Sequence, residues 1–275
     1  MRHPIRNAVK RNIRKAVRGA TKRPKAAILA TLLAGTSGGV ALSDLSLSDM
    51  LPDSLTNISS GEFVGGTNSD GNTEGADFAR SIGPAQTNYP AQIGKITYEG
   101  LDEQGRVKPV YARLTTQNRA DAKSWGRGNN PDNDKADPPG WGHNEKVTVD
   151  LPGGKQYRGY FWNRSHLIAD SLGGRESVDS WITGTRMQNV GSNNGKGGMA
   201  YTETKARAYL DDPANAECPL YYAATPDYTG NEIIPRTVTV DMQSCDKALD
   251  ERVIVDNVMP GYAINYTTGE FTRER

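Results

Sequence analysis

Short runs rich in β-branched and aromatic residues, separated by glycine turns, dominate the chain from about residue 90 onward. The stretch KITYEGLDEQGRVKPVYARLTT predicts two strands around Gln104–Gly105, and KVTVDLPGGKQYRGYFW predicts two more around Pro152–Gly154. Further strand-like runs follow, and the last, GYAINYTTGEFT, turns at Thr268–Gly269. One helix is expected to begin near Met199, in GGMAYTETKARAYLDD. These patterns predict an α+β fold, with a twisted, mainly antiparallel sheet and few helices.

Composition divides the chain into three parts. Residues 1–42 are signal-like, because ten Lys or Arg and no acid within the first 25 lead into the apolar stretch AAILATLLAGTSGGVAL. Residues 43–87 are rich in Ser, Gly, Asn, Asp and Thr and show no sustained period, which predicts a flexible linker. The folded domain is expected over 88–275.

The signal-like segment 1–42 predicts that the protein is exported and is either secreted or tethered to the cell surface. An uncleaved anchor and a basic tail that binds nucleic acid are the alternatives for this segment. The two cysteines, Cys218 and Cys245, fit export as one disulfide, although two buried thiols would fit the count equally well.

Polar residues suited to phosphodiester chemistry gather between residues 155 and 207, a stretch with net positive charge. His166 lies in FWNRSHLIADSLGG just after an extended run, and Arg164 precedes it by two residues. Asn189 follows in TGTRMQNVGSNN, and Glu203 and Arg207 are four apart on the predicted helix, so they share one face. Imidazole can accept a proton from water near pH 7, an amide oxygen can hold Mg²⁺, and guanidinium groups fit phosphate. Taken alone, the histidine would more often be structural and the Glu–Arg pair a surface ion pair.

These segments, with GGMAYTETKARAYL and the closing NYTTGEF, resemble the streptodornase branch of the DNA/RNA non-specific endonucleases, the ββα-metal or His-Me finger nucleases. The resemblance covers roughly residues 90–275 and implies a ββα-metal (His-Me finger) core. It also implies hydrolysis by a histidine base with one Mg²⁺, for which Mn²⁺ can substitute, leaving 5′-phosphate and 3′-hydroxyl ends.

The resemblance gives each candidate a role. His166 matches the motif histidine and would deprotonate the attacking water, and Asn189 matches the asparagine that binds the metal. Arg164 matches the motif arginine and would neutralise phosphate charge. Glu203 resembles the helix glutamate that holds metal-bound water, and Arg207 resembles the arginine that stabilises the transition state.

Some positions depart from the family pattern or leave alternatives open. Asn163 and Ser165 replace the Asp and Gly of the family's Asp-Arg-Gly-His motif, so another partner is expected to orient the histidine. Asn163 and Arg186 are candidates for substrate binding, and Arg186 is equally suited to a structural role. Asn193 and Asn194 are rival metal ligands to the asparagine at 189.

Two loops upstream of the motif also carry polar residues. NNPDNDKAD (129–137) offers Asp132, Asp134 and Asp137, but it lacks the glycine and distal glutamate of a calcium loop and predicts a solvated loop. Trp141 and His143 lie in a Pro/Gly-rich loop where the tryptophan could line a substrate groove.

The sequence thus predicts a secreted or surface-tethered, Mg²⁺-dependent, sequence-non-specific endonuclease that acts on DNA, with RNA as a second candidate substrate. Two alternatives remain open at this point: a non-catalytic nucleic-acid-binding surface protein, and a nuclease toxin delivered into competing cells with the same chemistry. The oligomeric state is left open.

Overall fold

The computed structural model describes residues 62–64, 77–151, 154–192 and 196–274. The predicted signal-like segment (1–42) and the rival metal ligands Asn193 and Asn194 lie outside these residues. Within the described ranges, no helix combines the length and the apolar character needed to cross a bilayer.

Strands dominate the described part of the chain, as the sequence predicts, and the paired strands there are all antiparallel. The strands and helices, in chain order, are β1 (Glu62–Val64), β2 (Ala79–Gly83), β3 (Ile96–Tyr98), β4 (Val110–Leu114), α1 (Thr116–Trp125), β5 (Lys146–Leu151), β6 (Lys155–Tyr160), β7 (Trp162–His166), β8 (Trp181–Thr185), α2 (Arg186–Val190), α3 (Gly198–Asp211), β9 (Leu220–Asp227), β10 (Thr237–Ser244), β11 (Asp250–Asp256), β12 (Tyr262–Ile264) and β13 (Phe271–Arg273).

A six-stranded sheet of order β2-β11-β10-β9-β4-β3 forms the main layer. Alternation along its strands sends one set of side chains towards α3, where they form the principal core. Tyr222 and Val240 from the sheet and Met199, Ala206 and Leu210 from the helix are among its buried members. Burial of this face holds α3 against the sheet and so fixes where its polar face points.

The strand β2 lies inside the segment that the sequence predicts to be a linker. It pairs with β11, and Ala79 is buried in the principal core. Its other four residues are exposed, because β2 is an edge strand with one side open to solvent. A polar, glycine-containing edge strand carries little apolar periodicity, which is why composition alone assigns it to the linker.

The segment β7-β8-α2 forms the ββα unit that the family resemblance implies. Its two strands pair in register from Trp162 opposite Thr185 to His166 opposite Trp181. Thr185 caps α2, since its hydroxyl accepts a hydrogen bond from the Gln188 backbone N–H at 3.0 Å. The unit therefore has a fixed strand register and a fixed helix start.

Glycines bring α2 and α3 into direct backbone contact. Gly198 has a φ of +54°, and a Cβ there would lie 2.2 Å from the Gln188 carbonyl oxygen. A Cβ on Gly191 would likewise lie 2.5 Å from the Cα of Gly197. Only glycine permits this approach, which places the helix carrying Asn189 beside the helix carrying Glu203.

Cys218 and Cys245 form a disulfide with a Cα–Cα separation of 5.3 Å. The prediction of a pair is confirmed, and the alternative of two buried thiols is wrong. The bridge joins the segment before β9 to the segment after β10, at one end of two neighbouring strands of the main sheet.

Candidate active site

One cleft of about 1460 Å³ gathers the predicted catalytic, metal-binding and substrate-binding side chains. Eight Lys or Arg and three Asp or Glu lie among its lining residues, so the cleft is cationic although the whole chain is nearly neutral. Such a cleft attracts a polyanion and raises its local concentration. The predicted residues that line it are Asn163, Arg164, His166, Arg186, Asn189, Glu203 and Arg207.

Strand alternation in β7 divides its polar residues between two faces. Asn163 and Ser165 point towards α2, where the Ser165 hydroxyl donates to Asn189 Oδ1 and Asn189 Nδ2 donates to Asn163 Oδ1, both at 3.3 Å. Arg164 and His166 share the opposite face. The two residues that replace the family's Asp and Gly are therefore the ones that hold the Asn189 amide in place.

His166 packs against Trp181, its cross-strand neighbour, with ring centroids 5.3 Å apart. Its Nε2 atom is shielded from solvent and has no hydrogen-bond partner within the described part of the chain. Burial lowers the pKa of His166 to about 4, and the positive charge of Arg127 lowers it further. The imidazole is consequently neutral at pH 7 and keeps a lone pair free to accept a proton.

Glu203 and Arg207 form the predicted i,i+4 pair on α3, with Arg207 Nη1 at 3.5 Å from Glu203 Oε2. Arg207 also donates to the hydroxyls of Ser171 at 3.1 Å and Thr204 at 2.7 Å. Burial raises the pKa of Glu203 to about 7, against the opposing charges of Arg207 and Arg127. The pair is therefore a partly buried part of the cleft, not the ordinary surface pair that the spacing alone suggests.

Arg127 is a cleft residue that sequence reasoning misses. It follows the end of α1 in a Gly126-Arg127-Gly128 turn and is exposed. Its charge acts on His166, Glu203 and Asp170. No local signal marks it, because an arginine between two glycines after a helix is typical of a solvated turn, and only the tertiary fold brings it to the cleft.

Arg164 lines the cleft but is already engaged by an acid. Its Nε donates to Asp137 Oδ1 at 3.0 Å, and its Nη2 donates to the same oxygen. Its guanidinium lies over the rings of Trp141 at 4.8 Å and Trp181 at 5.6 Å. The loop that carries Asp137 is exposed at this residue, as predicted, but it also contacts the motif arginine.

The two predicted substrate-binding residues are deeply placed. Asn163 is 4% exposed and Arg186 is 3% exposed. Arg186 lies over the Tyr157 ring at 5.5 Å, and burial lowers its pKa to about 10, so it remains charged at neutral pH. This burial favours the structural role for Arg186 over direct contact with substrate. Trp141 lines the cleft, whereas His143 pairs with Glu145 elsewhere.

The donor groups in the cleft fit a hard divalent ion. Among the described residues, the hydrogen bond that Asn189 Oδ1 accepts is a long one, from Ser165 at 3.3 Å, and the Glu203 carboxylate lines the same cleft. No group of three or more His, Cys, Asp or Glu is poised to hold a metal within the described ranges. An ion held by one or two protein oxygens keeps most of its water ligands, which is the binding mode typical of Mg²⁺.

Comparison with known proteins places this architecture among nucleases. A family model described as DNA/RNA non-specific endonuclease matches residues 94–263. A deoxyribonuclease of Streptococcus dysgalactiae subsp. equisimilis is 40% identical over 135 residues, which span 47% of this chain and 40% of that protein. The Sda1 nuclease structure with bound zinc ion is 30% identical, covers 72% of this chain and 98% of its own, and has a TM-score of 0.64. The structure of NucA from Streptococcus agalactiae with no metal bound is 25% identical, and the match covers 69% of this chain and 84% of NucA with a TM-score of 0.51.

Proposed function

We propose that this chain, which belongs to the DNA/RNA non-specific endonuclease family, is a metal-dependent endonuclease that hydrolyses DNA, with RNA as a second substrate. The observation that carries the proposal is the cationic cleft, which unites a neutral imidazole, an amide oxygen, a carboxylate and exposed guanidinium groups. The products are expected to carry 5′-phosphate and 3′-hydroxyl ends.

His166 acts as the general base in this proposal. Its low pKa keeps the ring unprotonated at neutral pH, and its unpartnered Nε2 accepts the proton from the attacking water. Trp181 packs against the ring and limits its rotation. In this proposal Trp181 orients the imidazole in place of the motif aspartate, which this chain lacks.

Asn189 and Glu203 hold the metal in this proposal, Asn189 directly and Glu203 through water. The ion, Mg²⁺ or Mn²⁺ in place of it, would polarise the phosphate and stabilise the charge that develops on the leaving oxygen. Ser165 and Asn163 fix the Asn189 amide, so its oxygen is presented with little loss of side-chain entropy. The zinc ion in the Sda1 nuclease structure supports a divalent metal in this fold.

Arg207 and Arg127 offset the negative charge of the phosphate as it reacts. Arg207 is pre-positioned by Ser171 and Thr204, and Arg127 lies close enough to act electrostatically on both His166 and Glu203. All of these groups are suited to phosphate and metal, so little sequence preference is expected.

Export from the cell is part of the proposal. The basic head followed by an apolar stretch is typical of a secretory signal, and the Cys218–Cys245 disulfide suits an oxidising environment.

Cleavage of supercoiled plasmid with Mg²⁺, and then with EDTA, tests the proposed function. His166→Ala should reduce the rate by orders of magnitude while the thermal transition remains cooperative. His143→Ala is the matched control, because it removes a histidine that lies outside the cleft. A purely binding protein would shift the plasmid without cutting it in either condition, and a His166→Ala variant with the parental rate would refute the assignment of the base.

A further inference from the structure

We propose that Asp137 occupies the position of a substrate phosphate on Arg164, so that nucleic acid must displace this carboxylate in order to bind there. The proposal rests on the proposed function, because it assigns a competitor of the substrate at Arg164, an arginine that lines the same cleft. It makes Asp137 a residue that limits affinity without touching the reacting atoms.

The contact occupies guanidinium donors of Arg164 that would otherwise be available to a phosphate. Arg164 donates from both Nε and Nη2 to one carboxylate oxygen of Asp137. Adjacent donors of a guanidinium are the ones that bind phosphate in a bidentate way, so the carboxylate and a phosphate compete for them. The two side chains are 44% and 52% exposed, and an exposed ion pair of this kind is weak enough for a polyanion to displace.

The backbone beside Asp137 is fixed to β8, so the carboxylate is held at this position. Trp181 Nε1 donates to the Ala136 carbonyl and the Thr183 hydroxyl donates to the Pro139 carbonyl, both at 2.9 Å. These bonds anchor the loop on either side of Asp137. The side chain can still turn away from Arg164 when a phosphate arrives, because no backbone bond has to break.

Arg164 does not depend on Asp137 alone for its position. Its guanidinium also lies against the faces of Trp141 and Trp181, and such cation–π contacts persist when the carboxylate is neutralised. Loss of the Asp137 charge should therefore leave Arg164 in the cleft with its charge available to the substrate. If Asp137 were instead required to hold Arg164 in position, loss of its charge would weaken nucleic-acid binding.

Asp137→Asn tests this competition, with Asp134→Asn as the matched control. The control removes the same charge from the same loop, and its Oδ1 can still accept the Ala136 N–H, as the carboxylate does now at 2.9 Å. Affinity for a fluorescein-labelled DNA duplex is measured by anisotropy in EDTA at several salt concentrations, and kcat and KM are measured with Mg²⁺. For Asp137→Asn we expect Kd and KM to fall about three- to fivefold with kcat unchanged. The salt dependence should steepen by about one phosphate contact.

A third variant, Arg164→Ala, separates competition from general charge effects. When Asp137→Asn is added to the Arg164→Ala variant, it should have no effect on the Kd for DNA. Equal effects of the Asp137 and Asp134 variants, an unchanged Kd, or a raised Kd would each overturn the proposal. Absence of cleavage by the parental protein would refute the proposed function instead, and the anisotropy measurements in EDTA would still decide the role of Asp137.

Discussion

Replacement of His166 by asparagine is expected to remove part of the pH dependence of folding stability. In the fold the imidazole has a pKa of about 4, whereas the unfolded chain has the ordinary value of 6.5. As the pH falls below 6.5, the unfolded chain takes up a proton that the folded protein does not. The titration of His166 therefore lowers the free energy of unfolding as the pH falls from about 6.5 to about 4.

The magnitude follows from the gap between the two pKa values. It corresponds to about 3 kcal/mol between pH 7 and pH 4, and solvent screening of the partly exposed ring makes this an upper value. The free energy of unfolding of the parental protein should fall over this range by that much more than the free energy of unfolding of His166→Asn. Other acids that titrate in the same range contribute nearly equally to both proteins and cancel in the difference.

Urea unfolding followed by tryptophan fluorescence, in EDTA and at several pH values from 7 to 4, measures this difference. His143→Asn serves as the matched control for the loss of one histidine on an exposed loop. Parallel stability curves for the parental protein and His166→Asn would show that the ring titrates alike in both states. That result would refute the inference that burial keeps the His166 imidazole neutral in the fold.

Three further outcomes are expected. Glu203→Gln should raise the free energy of unfolding at pH 8 by up to about 3 kcal/mol, measured by urea unfolding, because it removes a buried charge whose pKa is raised to about 7. The same variant should lose plasmid cleavage. A variant that loses stability as well as activity would contradict this expectation. Arg127→Ala should reduce kcat/KM by about 10²-fold in a plasmid assay with an unchanged melting temperature, whereas Arg80→Ala, an exposed arginine on β2, should cut at the parental rate. Replacement of both Cys218 and Cys245 by serine should lower the free energy of unfolding by about 3–4 kcal/mol, given the separation of 27 residues between them; an unchanged urea midpoint would show that the bridge contributes nothing.

The local elements of the fold could be predicted from the sequence because their signals are local. The hairpin of β3 and β4 follows from β-branched residues on both sides of the turn at Gly105, where φ is +77°. The start of α3 follows from two glycines before a run of helix formers, and it lies within one residue of the predicted Met199. The strand β2 escaped because an edge strand with one buried residue has almost no pattern to detect.

The residues of the candidate site also fall into those that the sequence predicts and those that only the tertiary structure reveals. His166, Asn189, Glu203 and Arg207 belong to motifs that a single sequence displays, and the cleft brings all four together. The placement of Arg127, and the contacts that Asp137 and Trp181 make with the motif residues, depend on how distant segments pack. Tertiary contacts of this kind leave no periodicity or spacing in the sequence.

A crystal structure of His166→Ala with uncleaved DNA and Mn²⁺ tests directly whether His166 and a metal ion on Asn189 act on the same phosphate. We expect one metal ion coordinated by Asn189 Oδ1 and a phosphate oxygen, with the phosphorus atom between that ion and the space vacated by the imidazole. A metal ion bound away from Asn189, or a phosphate beyond reach of the missing ring, would contradict it.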